Sequence, residues 1–168
     1  MEKEIINRVA QSKLITFDLE ELYPEGKRVL FDIKDWLYEE LILREKEFRA
    51  FVEEHNWTQY QGDHIALTCS SDAIIPGWAY MLIASKLGPY AKNIVVGDLE
   101  HLESSIYLTI LKDLDLTTFK DKPVIIKGCS NKPVPKNAYI LATAKIQTVA
   151  KSVMYGEACS SVPLFKRK

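Results

Sequence analysis

The sequence has no apolar run near the ~18 residues that a membrane-spanning helix needs. It also has no apolar signal core, because the opening MEKEIINRVAQS mixes acids and bases. A cytoplasmic location is the expectation that follows. There is little charge imbalance: 22 Lys and Arg stand against 23 Asp and Glu, a net charge of -1. That excludes an overall pull toward nucleic acid or an anionic membrane, and Lys166-Arg167-Lys168 reads as a solvated end. Neither GxxxxGK[ST] nor GxGxxG occurs, so no nucleotide fingerprint is present. No internal repeat, low-complexity stretch or flexible linker is evident. Cysteine is scarce, with only Cys69, Cys129 and Cys159, and no two share the close spacing of a zinc knuckle or ferredoxin motif.

What is present is the composition of an ordinary globular domain, 47% hydrophobic and 27% charged. A chain of 168 residues fits one domain and buries roughly 70% of its unfolded surface, so a core needs no metal or disulfide. Ile5, Ile6 and Val9 predict a short amphipathic helix over residues 2–11. Strands are predicted at 14–17 and 27–33, the start of a helix at 35–38, and a helix at 44–55 with an apolar stripe of Phe48, Phe51 and Val52. From there the pattern is regular. Apolar strands at 64–68, 93–96 and 123–127 alternate with helices that reach about Leu87, about Leu114 and about Val153. Gly88-Pro89 marks the first stop. Alternation of this kind predicts an α/β fold, a single-domain three-layer sandwich with a mostly parallel sheet and helices on both faces. Its parts are a mixed segment over 1–60, strand-helix units over 61–155, and a tail over 156–168 that carries Cys159.

In an open parallel sheet ligands sit at the carboxyl ends of the strands. Cys69-Ser70-Ser71-Asp72, Gly97-Asp98 and Gly128-Cys129-Ser130 all fall on that edge. Cys159 reaches it only if residues 155–163 run back across the sheet, and nine residues span at most ~30 Å. His64 begins its strand and belongs to the opposite edge, His101 lies one helical turn beyond Asp98, and His55 closes a surface helix in solvent. Three readings of the thiols stay open. They form a zinc or iron–sulfur site, with His101, Asp98, Asp72 or solvent as the fourth ligand. They are inert core residues. Or one is reactive, best Cys69 or Cys129, each beside a helix N-terminus whose dipole favours thiolate. A reading without thiol chemistry makes Thr68 to Ser71 and Gly128-Cys129-Ser130 an anion cradle of hydroxyls and backbone N–H groups at helix starts, with Ser70, Ser71, Asp72 and Ser130 as the cofactor-binding candidates. Against it, Ser and Asp are common helix caps.

The segments FDIKDWLYEELILREKEFR, CSSDAIIPGWAYMLIASKL, VVGDLEHLE and AKSVMYGEACSSVPLFKR resemble, over nearly the whole chain, a bacterial domain-of-unknown-function family found mainly in Bacteroidetes. The resemblance implies a place beside iron–sulfur cluster assembly proteins, which would be its partners. A sugar-phosphate isomerase label attached to that family implies an enzyme instead. The leading expectation is a thiolate protein that holds zinc or an iron–sulfur cluster and is accessory to cluster assembly. Its rivals are a small isomerase or a thiol or persulfide transferase on the same edge, and a metal-free interaction protein using Trp36, Trp57 or Trp78.

Overall fold

The computed structural model describes residues 13–128 and 131–168. The helix expected over residues 2–11, and Cys129 with Ser130, lie outside the described residues. The chain forms two compact units. An inserted unit comprises Pro24–Ile106, and a flanking unit comprises the chain up to Tyr23 together with Tyr107–Lys168. The fold is α/β, as the alternation predicts. Its strands lie in two sheets rather than in the one expected.

The inserted unit holds β2 (Arg28–Asp32), α1 (Glu45–Glu54), β3 (His64–Thr68), α2 (Gly77–Leu87) and β4 (Asn93–Val96), and it ends within α3 (Leu99–Lys112). Its sheet is all parallel in the order β2-β3-β4. Side chains alternate across a strand, and Ile65 and Leu67 of β3 point into a buried cluster with Phe48 and Val52 of α1 and Ala79, Ile83 and Leu87 of α2. Arg28 projects from the other face and meets Glu103 of α3 at 2.6 Å, with both side chains largely buried. Helices therefore cover both faces of this sheet. The expected helix at 35–38 is replaced by a single 3-10 turn, Ile33–Trp36, started by the Asp32 carboxylate accepting from the Lys34 N–H.

The flanking unit holds β1 (Ile15–Phe17), β5 (Pro123–Lys127), α4 (Lys136–Ile146), β6 (Ser152–Glu157) and β7 (Ser160–Lys166). Its order is β1-β5-β6-β7, with only β7 antiparallel. Val124, Ile126 and Val153 bury against Ala138, Ala142 and Ile146 of α4 and against Tyr107 and Leu111 of α3. Two expectations fail here. The helix predicted to reach about Val153 stops at Ile146, and Ser152–Glu157 is a strand parallel to β5. The tail predicted over 156–168 is the end of β6 and the edge strand β7. Pro163, which cannot donate to a ladder, sits in that edge strand beside a register shift, where Val153 pairs with Phe165 and Met154 with Pro163 so that Leu164 is passed over.

The two units also repeat one another, although no repeat is evident in the sequence read straight through. β3 begins at His64 and β5 at Pro123, 59 positions later; Gly77–Leu87 and Lys136–Ile146 keep the same offset. So do the strand registers His64↔Asn93 and Pro123↔Ser152. Pro76, Ala79, Tyr80, Leu82, Lys86, Ala91, Lys92 and Gly97 recur as Pro135, Ala138, Tyr139, Leu141, Lys145, Ala150, Lys151 and Gly156. The turns match bond for bond. The Gly62 N–H donates to the Tyr90 carbonyl as the Asp121 N–H does to that of Val149, and the residues at both positions have positive φ. The first strands agree as well. Phe17-Asp18-Leu19 and Phe31-Asp32-Ile33 each end a strand and start a 3-10 turn, with the Asp accepting from the N–H two residues on.

Candidate functional site

The carboxyl edge of the inserted sheet is formed by Asp32 after β2, Cys69 after β3, and Gly97-Asp98 after β4. Strand pairing carries on one step past β4, because the Gly97 N–H donates to the Leu67 carbonyl at 2.9 Å. The Asp32 Oδ1 accepts from the backbone of Lys34 at 3.0 Å and of Ser70 at 3.1 Å. Burial alone would raise the carboxyl pKa, but the Ser70 and Lys34 hydrogen bonds and the Lys34 charge outweigh it and hold the group below its ordinary value. Cys69 is half-buried, with its Sγ 3.3 Å from the Ser71 hydroxyl. That hydroxyl also accepts from the Ala73 N–H at 3.4 Å. Tyr80 of α2 lies near enough that the Cys69 charge adds to burial in pushing its phenol up.

One physical premise of the sequence reading does not hold. α2 begins only at Gly77, capped by Pro76 without a side-chain bond, so Cys69, Ser70, Ser71 and Asp72 lie in a loop ahead of it. Cys69 is therefore not in the first turn of that helix, and Pro76 rather than Asp72 holds the cap position. The Ser70 N–H, offered as part of an anion cradle, is already taken by Asp32. Asp72 is exposed and faces a groove on the same unit. α4 likewise begins at Lys136, after Pro135.

Asp98 and His101 are engaged with each other. The Asp98 Oδ1 accepts from the His101 N–H at 2.8 Å, and the ring Nδ1 lies 3.3 Å away. The backbone bond is the main cause of the lowered Asp98 pKa. Both side chains are exposed. His64 is buried at the opposite edge as expected, between the Asn93 amide oxygen and the Glu25 carbonyl. His55 departs from expectation. It is half-buried against Trp57, 4.6 Å between ring centroids, and its Nε2 lies 2.8 Å from the Tyr60 hydroxyl. Burial depresses its pKa.

The flanking sheet has its own carboxyl edge, formed by Asp18, Lys127 and Glu157. The Lys127 Nζ donates to the Asp18 Oδ2 at 2.9 Å. That bond, then the charges of Asp18, Glu157 and Glu20, raise the lysine pKa despite burial. β6 runs parallel to β5 with Lys127 opposite Gly156. It therefore carries the exposed Cys159, in the turn before β7, to the edge where β5 ends. The run back that was expected over 155–163 comes earlier, over Ser152–Glu157, because the helix stops at Ile146, and it leads to the edge of the flanking sheet rather than to the edge that carries Cys69. The Tyr155 hydroxyl donates to the Gly128 carbonyl at 3.3 Å on the same edge.

Of the expected metal ligands, Cys69, Asp98 and His101 belong to the inserted unit and Cys159 to the flanking one. Among the described residues no group of three or more His, Cys, Asp or Glu could hold a metal ion. Sequence reasoning missed Asp32, Tyr80, Asp18 and Lys127. The doubled Phe-Asp after a strand was the available signal for both aspartates.

A family described as "Protein of unknown function (DUF2480)" matches residues 3–167. The chain belongs to this family. No curated protein and no solved structure matches it. Among the described residues no helix is long and apolar enough to cross a membrane.

Proposed function

We propose that this family member is a thiol carrier that accepts and hands on sulfur through Cys69, as an accessory to cytoplasmic iron–sulfur cluster assembly. The observation that carries the reading is where the thiols lie. Cysteine is among the most buried residue types, yet neither described cysteine is fully buried: Cys69 packs against the edge of the inserted unit's core and stays half-buried, and Cys159 is exposed. Cys69 follows the middle strand of a parallel sheet, where ligands bind in such sheets, with the Ser71 hydroxyl 3.3 Å from its sulfur.

The step needs no added oxidant. The Cys69 sulfur attacks the outer sulfur of a donor persulfide, a new S–S bond forms, and the donor S–S bond breaks. The donor thiolate leaves and takes up the proton that Cys69 gives up. Ser71 offers a hydroxyl near the sulfur. Donor and acceptor would be the assembly proteins that the family resemblance implies.

The test is incubation of reduced protein with a small-molecule persulfide, followed by intact mass and peptide mapping. The expected result is one added sulfur at Cys69, absent in Cys69→Ser and kept in Cys159→Ser. No uptake, or equal uptake by Cys69→Ser, overturns the reading. A second reading, zinc or an iron–sulfur cluster held by thiolates, is favoured by β6 carrying Cys159 to the end of β5, where Cys129 follows Gly128 in sequence. Metal and labile-sulfide content of protein purified without oxygen separates the two. Iron with sulfide and a brown chromophore supports the cluster, and absence of metal supports the carrier.

A further inference from the structure

The internal repeat supplies a control for the exposed residues of the inserted unit. The loop from β3 to α2 and the first turn of that helix carry Asp72, Ala73, Ile74, Gly77 and Trp78. At the same offset the flanking unit has Asn131, Lys132, Pro133, Lys136 and Asn137. Both loops end on a proline cap in the same conformation. Ala73 and Trp78 pack against the inserted unit's buried cluster, but Ile74 is not part of it, and with Pro133 at the matching place the shared backbone does not demand an isoleucine there. Ile74 is 92% exposed, an arrangement that the hydrophobic effect penalises unless something covers it. Ile74 and Trp78 line an open groove of about 590 Å3 with Leu41 and Ile42, both exposed, and with the carboxylates of Glu45 and Asp72.

The charge of the unit says what would cover it. Pro24–Ile106 holds 14 Asp and Glu against 8 Lys and Arg, a net of -6, while the rest of the chain holds 9 against 14, a net of +5; together they give the overall -1. Glu45 is held by Arg49, which also lies over the Trp78 ring. Asp72 has no hydrogen-bond or ion-pair partner among the described residues. We infer that this groove docks a segment of a partner protein in which apolar anchor side chains are flanked by Lys or Arg. The anchors cover Ile74 and Trp78, and the basic flanks meet the Asp72 and Glu45 carboxylates that line the groove. The inference is independent of the thiol reading.

The test uses two fluorescein-labelled amphipathic peptides of one pattern, leucine with lysine and leucine with glutamate, titrated with the full chain by anisotropy. The lysine peptide is expected to bind at least about tenfold more tightly, and to weaken as salt rises from ~50 to ~200 mM. Ile74→Asp and Asp72→Lys should each cost about fivefold or more. Ile140→Asp, at an apolar residue 68% exposed on the flanking unit, should change nothing. Equal affinity for the two peptides, no binding, or an Ile140→Asp loss matching that of Ile74→Asp overturns the proposal. So does sedimentation showing an oligomer that Ile74→Asp dissolves, because the groove would then be covered by a second copy of the chain.

Discussion

Where the inserted unit ends its middle strand with Thr68 and Cys69, the flanking unit has Lys127 and Gly128. Backbone, register and turn bonds agree between the two, while the side chains at the strand ends do not. Each unit keeps an aspartate at the end of its first strand, Asp32 or Asp18, and an acid at the end of the strand that follows its second helix-linked crossover, Asp98 beyond β4 or Glu157 closing β6. In the flanking unit Lys127 bonds Asp18, and the Glu157 charge acts on it too. In the inserted unit no cation stands at that position; Asp32 turns to backbone N–H groups, and a thiol takes the next place. A repeated scaffold separates what folding requires from what it permits. The shared residues, such as buried Ala79 and Ala138, serve the fold. The residues that differ are where chemistry has room to differ.

The largest expected contrast lies in the ion pairs. Glu103 is only 4% exposed and its carboxylate meets Arg28. Arg28→Ala takes away the cation beside a buried charge and should cost about 3–5 kcal/mol. The pair in the flanking unit, Lys127 with Asp18, is more exposed, and Lys127→Ala should cost far less. Urea denaturation of both variants checks this, and equal losses would remove the contrast.

Next come the glycines that end β4 and β6. Gly97 and Gly156 share positive φ, +143° and +122°, which non-glycine residues adopt at about 1–3 kcal/mol. A Cβ at Gly156 would lie 2.6 Å from the Ser160 carbonyl oxygen, held in the β6–β7 hairpin. At Gly97 it would lie 2.9 Å from the Cβ of His101, on the exposed first turn of a helix. Gly156→Ala should therefore destabilise more than Gly97→Ala, read by thermal melting. The reverse order would mean that the helix start yields less than the hairpin.

Much of this was legible in the sequence. His64–Thr68, Asn93–Val96 and Pro123–Lys127 are short apolar runs bounded by polar or turn residues, and each strand matches its reading. The helix after Pro135 was overrun because Thr148 to Val153 holds no Gly or Pro to stop it. Tertiary pairing with β5 makes Ser152–Glu157 a strand. The repeat escaped notice because its shared residues are scattered singly and show only when the chain is set against itself at one offset. At the site, Cys69 could be placed from its strand. Asp32 and Tyr80 come from other elements, so no local pattern could join them to it.

The smallest contrast asks whether a repeated device does the same work in both units. Asn56 and Asp115 stand 59 positions apart, and each accepts from the backbone N–H and hydroxyl of a threonine two residues on, Thr58 or Thr117. Asn56→Ala should cost about 1 kcal/mol at any pH, because an amide does not titrate. Asp115 differs in charge. The Thr117 backbone bond, with its hydroxyl, holds the carboxyl below its ordinary value. A carboxyl depressed in the folded state stabilises above its unfolded pKa, about 3.9, and that stabilisation is lost as pH falls through the folded value. Asp115→Ala should thus destabilise at pH 7 and lose much of its effect in acid, once the pH has fallen below the folded value. Denaturation of both variants at pH 7 and in acid decides it. If the Asp115→Ala loss persists unchanged in acid, the hydroxyl and backbone bonds do not depend on the charge, and the two caps are equivalent in energy as well as geometry.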